Sequence, residues 1–94
     1  MIKAMWNGAV VAESEKTEIV DGNHYFPADS IHKQYFKKSD TTSICPWKGT
    51  ANYFSIEVDG KLNEDAVWVY PTPKDAAMNL KERYAFWKGV EVTD

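Results

Sequence analysis

Cysteine is almost absent from the chain: Cys45 is the single one among 94 residues. An internal disulfide is excluded, and so is a zinc site built from cysteine pairs, because each needs a second thiol. Folding without such staples, with one free thiol, suits a reducing compartment. Long apolar runs are missing too. No stretch approaches the ~18 apolar residues of a membrane span. The opening Met1-Ile2-Lys3-Ala4-Met5-Trp6-Asn7-Gly8 lacks an apolar run followed by a small-residue cleavage site,. The expected location is the cytoplasm, with no membrane partner.

There is no excess of positive charge either. The formal net charge is −3, which argues against a general nucleic-acid binder. The phosphate-cradling spacing G-x-x-x-x-G-K-[ST] is absent. His24 and His32 are eight apart, and neither has a partner at the H-x-x-x-H spacing of a metal site. The carboxylates are plentiful but scattered. No metal and no cofactor are expected. Repeats, low-complexity tracts and linkers are lacking, which leaves one domain over residues 1–94, as monomer or homodimer.

Aromatics, by contrast, are abundant: four Trp, five Tyr and four Phe. Each large ring buries roughly 150–250 Å², enough to give a short chain a core. Turn signals recur at short intervals. Asn7-Gly8 separates Ile2–Trp6 from Ala9–Glu13, and Asp21-Gly22-Asn23 separates Thr17–Val20 from His24–Phe26. Asp59-Gly60 ends a strand over Thr50–Val58, and Glu64-Asp65 precedes a strand over Ala66–Tyr70. Trp87-Lys88-Gly89 stands between Tyr84–Phe86 and Val90–Val92. Such punctuation predicts antiparallel hairpins. The fold class is mainly β: a small single domain whose hairpins form a curved sheet or open barrel, with one or two short helices. Thr72 as N-cap, Pro73 at the first position and Asp75 behind it predict a helix over Pro73–Arg83, with Ala77, Leu80 and Tyr84 on one face,. A shorter turn is expected near Pro27–Tyr35. The polar run Lys37–Ser43 reads as a loop.

Alternation along the central hairpin separates two faces. Phe54, Ile56 and Val58 match Val67 and Val69 on an aliphatic core face. Tyr53, Trp68 and Tyr70 gather on the other, which suits a wall for a flat ligand or a seat for the Pro73–Arg83 helix,. The loop Ile44-Cys45-Pro46-Trp47-Lys48-Gly49-Thr50 feeds this hairpin. Pro46 restricts Cys45 to extended conformations, and Gly49 permits a close approach. Lys48 and the N–H groups about Gly49-Thr50 are candidates to hold a phosphate or carboxylate. Cys45 reads either as a small buried hydrophobe or as a nucleophile activated by Lys48, with His24 or His32 as the only imidazole bases. Charge is uneven as well. Lys33, Lys37, Lys38 and Lys48 against Asp40 leave +3 over residues 31–48; Glu57, Asp59, Glu64 and Asp65 against Lys61 leave −3 over residues 57–65. These are either solvated surface segments or, for the first, a patch that draws anions to the Cys45 loop.

The order Val11-Ala12-Glu13-Ser14, Tyr25-Phe26-Pro27, Thr42-Ser43-Ile44-Cys45-Pro46-Trp47-Lys48-Gly49-Thr50-Ala51-Asn52-Tyr53, Ala66-Val67-Trp68-Val69-Tyr70-Pro71-Thr72-Pro73 and Ala85-Phe86 closely resembles domain-of-unknown-function family 427. The T-x-x-C-P-x-K-G-x-A-x-Y stretch is its most specific part. The resemblance implies a small, mainly antiparallel β domain with short helices, found alone or in tandem, chiefly in bacteria and fungi. The family is sometimes labelled a nucleotidyltransferase domain, although the G-S and paired-Asp signature that holds metal and triphosphate in such enzymes is absent from this sequence. The resemblance supplies signature positions and no catalytic residue: Ser14, Tyr25, Pro27, Cys45, Pro46, Lys48, Gly49, Tyr53, Trp68, Tyr70 and Pro73.

The residues support three readings. The first is a small-molecule binding domain, with a flat anion (a nucleotide among the options) held by Lys48, Gly49, Tyr53, Trp68, Tyr70, Ser14 and Tyr25. The second is an enzyme, thiol-dependent or nucleotidyltransferase-like, using Cys45 and Lys48. The third is a structural or protein-interaction module with the aromatics in its core.

Overall fold

A computed structural model describes all of residues 1–94. Nine strands form three antiparallel sheets. β1 (Ile2–Trp6), β2 (Ala9–Ser14) and β9 (Glu91–Thr93) make one sheet, in the order β2-β1-β9. β3 (Glu18–Val20) and β4 (Asn23–Tyr25) make a two-stranded ribbon. β5 (Phe36–Cys45), β6 (Gly49–Val58), β7 (Lys61–Val69) and β8 (Tyr84–Phe86) form a four-stranded sheet in sequence order. The chain is thus mainly β, with open sheets and no closed barrel.

The turn residues explain the connectivity. Asn7-Gly8, Asp21-Gly22 and Asp59-Gly60 each place two successive residues at positive φ, between 49° and 81°. This is the two-residue hairpin geometry whose twist matches that of the flanking strands, and Asn, Asp and Gly tolerate it best. The three hairpins β1–β2, β3–β4 and β6–β7 close on these pairs. Lys88-Gly89 turns in the same way, but β8 and β9 part into different sheets, because β9 pairs with β1.

Two expected loops are strand. The polar segment Lys37–Ser43 lies within β5 and pairs with β6 through Lys38↔Phe54 and Thr42↔Asn52. Its Ser39 and Thr41 hydroxyls donate to the two carboxylate oxygens of Asp65, at 2.5 and 2.8 Å. Glu64-Asp65 likewise does not precede a strand; it forms a bulge inside β7. The register passes from Ile56↔Asn63 to Phe54↔Val67, and Asp65 takes φ 55°. Its backbone N–H donates to Ser55 Oγ at 3.1 Å, which satisfies a group the ladder leaves out. The oppositely charged segments therefore lie in one sheet and meet there, Lys37 Nζ standing 3.7 Å from Glu57 Oε1.

The helix expected over Pro73–Arg83 is a short 3₁₀ segment, Asp75–Leu80, kinked at Ala77. Its N-cap is Lys74 and no side chain caps it. Backbone contacts outside the segment override the local start signals. Lys74 N–H donates to Lys48 O at 2.9 Å and Glu82 N–H to Tyr70 O at 3.1 Å, so both ends are tied to the sheet. Ala77 and Leu80, three apart as 3₁₀ geometry requires, are buried, while Tyr84 has left for β8,. Two further 3₁₀ turns, Ala28–Ser30 and Lys33–Tyr35, occupy the region expected to turn near Pro27–Tyr35.

Two cores result. The first holds Phe26, Ile56, Val58, Val67 and Phe86 between the β2-β1-β9 sheet and one face of the four-stranded sheet. Its rings meet edge to face, Phe26 and Phe86 with centroids 5.4 Å apart. The second lies on the opposite face, where Tyr25, Ala51 and Tyr70 pack with Ala77 and Leu80. The sorting of Phe54, Ile56 and Val58 from Tyr53, Trp68 and Tyr70 follows the alternation of the strands. A reciprocal backbone pair between Phe26 and Tyr84, at 2.7 and 2.8 Å, fixes the β3–β4 ribbon beside β8. That contact carries Asp21, Asn23 and Tyr25 over the aromatic face.

Candidate functional site

Beside the second core a cavity of about 220 Å³ opens between the β3–β4 ribbon and the aromatic face. Tyr53 and Trp68 come from the neighbouring strands β6 and β7, where they are direct partners in register. Tyr70 follows β7, Tyr25 ends β4, and Trp87 stands at the rim with 47% exposure. Trp68 makes edge contacts with Tyr25 and with Trp87, both at 6.1 Å between centroids. The Trp87 indole N–H donates to Asp65 O at 2.6 Å, so the β7 bulge holds the rim ring in place.

The polar end is built around Lys48. Only 7% of this residue is exposed. Its ammonium lies 4.9 Å from the centre of the Trp47 ring and donates to Asp21 Oδ2 at 2.6 Å. The Asp21 side chain is 61% exposed, so one partner of the ion pair is nearly dry and the other is wet. Burial works against the Lys48 charge, but the Asp21 hydrogen bond and the nearby Tyr25, Asp21 and Tyr70 outweigh it, leaving the ammonium pKa above its ordinary value,. Burial pushes the Tyr70 hydroxyl up, so it stays a proton donor at neutral pH. Tyr25 Oη accepts the Trp68 indole N–H at 3.2 Å, and Tyr53 Oη lies 2.9 Å from Ser43 Oγ.

Of the seven residues expected to bind, the cavity gathers Lys48, Tyr53, Trp68, Tyr70 and Tyr25. Gly49 and Ser14 do not line it. Gly49 takes φ +117°, and the missing side chain faces the backbone of Thr72–Lys74 at 3.5–3.6 Å. There it lets the chain strap of residues 72–74 lie over the loop, and Lys74 Nζ donates to Pro46 O at 2.7 Å. Ser14 lines a separate cleft with Pro27 and Arg83 and accepts the Lys16 N–H at 2.9 Å. Gly49 and Thr50, about which the sequence predicts an anion-holding set of N–H groups, stand opposite Cys45 and Ile44 in the β5–β6 ladder.

Sequence reasoning missed Asp21, Asn23 and Trp87. Asp21 and Trp87 were visible only as turn residues, and nothing local tied Asp21 to a lysine 27 positions away. Cys45 is free and half-buried. The backbone N–H of Lys48, then that of Trp47, holds its thiol below the ordinary range against a smaller opposing effect of burial. Neither histidine serves it: His24 Nδ1 is 2.8 Å from Thr17 Oγ1, and His32 Nδ1 donates to Val10 O at 2.7 Å. No group of three His, Cys, Asp or Glu side chains converges to hold a metal ion, and no helix is long and apolar enough to cross a membrane.

Fold and cavity together define a small antiparallel β domain with a lysine at the floor of an aromatic cleft. The chain belongs to the family described as Domain of unknown function (DUF427), whose model matches residues 1–94, the whole chain. No curated protein matches it.

Proposed function

We propose that this domain binds a flat, anionic small molecule in the cleft between the β3–β4 ribbon and the Tyr53/Trp68/Tyr70 face. The observation that carries the reading is the placement of Lys48. Burial of this lysine carries a desolvation cost that the exposed carboxylate of Asp21 offsets, and its head lies in the one concave space walled by several aromatic rings. Binding sites combine such apolar walls with a few convergent polar groups. The rings would stack the body of the ligand and Lys48 would pair its charge, with the Tyr25 and Tyr70 hydroxyls as donors beside it. A thermal-shift screen of nucleotides and aromatic acids tests this. Stabilisation of the wild type, absent in a Lys48→Met variant, is expected; equal shifts for both proteins contradict the reading.

The lowered thiol of Cys45 favours a second reading, a reactive cysteine at the edge of the same loop,. It lacks an imidazole base, so any such chemistry would depend on the backbone N–H groups that favour the thiolate. Labelling of Cys45 with iodoacetamide across pH measures it directly. A midpoint at or above the ordinary ~8.5 removes the reading.

A further inference from the structure

We infer that the ligand of the cleft is a single-ring aromatic monocarboxylate and that Asp21 is the internal carboxylate it replaces, an inference that rests on the cleft being an anion site. Charge balance comes first. The cleft is lined by one cation, Lys48, and one anion, Asp21, bonded at 2.6 Å. The two differ in what separation costs them. Asp21, with a 61% exposed side chain on a two-residue turn, can be released to water at little cost. Lys48 is buried and needs an anion wherever Asp21 goes,. A ligand carboxylate offers the same hydrogen-bond-accepting oxygens in the same place.

The donors around Lys48 fit that exchange. Tyr70, only 6% exposed, lines the cleft with a hydroxyl that bonds to no group of the protein, and open space is its one outlet. Tyr25 Oη accepts the Trp68 N–H, which leaves its own proton free to donate. The Lys48 ammonium has three N–H groups and uses one on Asp21,. Every fully buried side-chain polar atom has a partner in the free protein, so the cleft carries no internal deficit; the donors that remain open to it are ones a carboxylate, with about four lone-pair sites, can engage.

Size and charge separate a carboxylate from a phosphate ester. A space of about 220 Å³ falls below the ~300–1,000 Å³ usual for larger ligands. One ring with an acid directly attached fits within it, whereas a nucleotide would place a sugar between its ring and its anion and project through the open side of the cleft. One lysine balances a monoanion; phosphate groups are commonly held by bidentate arginine or by several donors and cations, and the cleft has no arginine. A phosphate dianion would also meet Asp21 in its displaced, still adjacent position.

Titration of tryptophan fluorescence tests this, since Trp68 and Trp87 both line the cleft. Benzoate, benzyl alcohol, AMP and inorganic phosphate are the probes, against wild type, Asp21→Asn and Lys48→Met. Benzoate should bind the wild type with a Kd of about 1 mM, as fits so few atoms. The neutral alcohol, AMP and phosphate should each bind at least tenfold more weakly. D21N removes the competitor and should tighten benzoate about tenfold; K48M should weaken it at least tenfold. Asp21→Gly, which the same turn accepts, stands in if D21N fails to fold. AMP or phosphate binding better than benzoate, and losing affinity in K48M, would overturn the ligand class and leave the anion site standing. Unchanged or weaker benzoate binding in D21N and D21G would overturn the replacement of Asp21. No binding of any probe to any variant would overturn the anion site itself.

Discussion

Replacing Lys48 by methionine keeps an unbranched apolar stem and removes the ammonium, whereas Asp21→Asn keeps the turn and removes the carboxylate. The structure makes these two halves of one ion pair unequal. With Lys48 7% exposed, its stem remains packed as methionine, and the burial cost of the charge and the slightly larger gain from Asp21 and its neighbours disappear together. Asp21 loses its partner but is already 61% exposed, so its charge is resolvated. The expected change for K48M is within about 0.5 kcal/mol of wild type, of either sign. In D21N the ammonium stays buried without an anion. Truncating one partner of a fully buried pair costs about 3–5 kcal/mol. The wet side of this pair and the retained amide oxygen reduce that to about 1.5 kcal/mol. In a domain of this length that lowers Tm by about 6–12 °C. Urea denaturation with circular dichroism reads both variants, and the double variant should resemble K48M, since the penalty of D21N exists only while Lys48 is present. A larger loss in K48M than in D21N would refute the reasoning, because the Lys48 charge would then be worth far more than the small surplus left when Asp21 and its neighbours offset burial.

Gly49→Ala places a side chain at φ +117° and should destabilise by about 1–2 kcal/mol in urea denaturation, without a change in benzoate binding beyond that stability loss. Asp65 accepts hydrogen bonds first from Ser39 and then from Thr41, which hold its carboxyl below the ordinary range. Its contribution to stability is therefore full above the unfolded value of about 3.9 and is lost as pH falls through the lower folded value; Asp65→Asn should flatten that acid limb of the stability profile. The raised Lys48 value acts at the other end: its contribution is full below the unfolded value of about 10.4 and fades as pH rises through the higher folded one, an alkaline limb that K48M should lack. Tyr70→Phe should leave stability nearly unchanged, since its hydroxyl has no partner in the protein, and weaken benzoate binding several-fold.

Much of the fold was legible because it rests on local chemistry. Asn7-Gly8, Asp21-Gly22 and Asp59-Gly60 mark their hairpins through positive φ at both turn residues, and alternation alone sorts Phe54 and Ile56 from Tyr53 and Trp68. Where the outcome depends on distant partners, local signals mislead. The run Lys37–Ser43 is polar, so it reads as a loop, yet β6 supplies its ladder and Asp65 engages its hydroxyls. Thr72, Pro73 and Asp75 spell a helix start, yet ties from Lys74 to Lys48 and from Glu82 to Tyr70 fix the segment ends and leave room only for 3₁₀ turns. The candidate site divides in the same way. Its aromatic wall comes from strand alternation, while the Lys48–Asp21 pair depends on the Phe26–Tyr84 contact that carries the β3–β4 ribbon across the sheet.

The most direct test of a Lys48-floored anion cleft is a two-dimensional NMR titration with benzoate, following the Lys48 ε-methylene and the indole N–H groups of Trp68 and Trp87. Saturable shifts confined to these groups, Tyr70 and the Asp21 turn are the predicted result. Shifts elsewhere on the surface, or a Lys48 ε-methylene that stays in place while other residues respond, would contradict it.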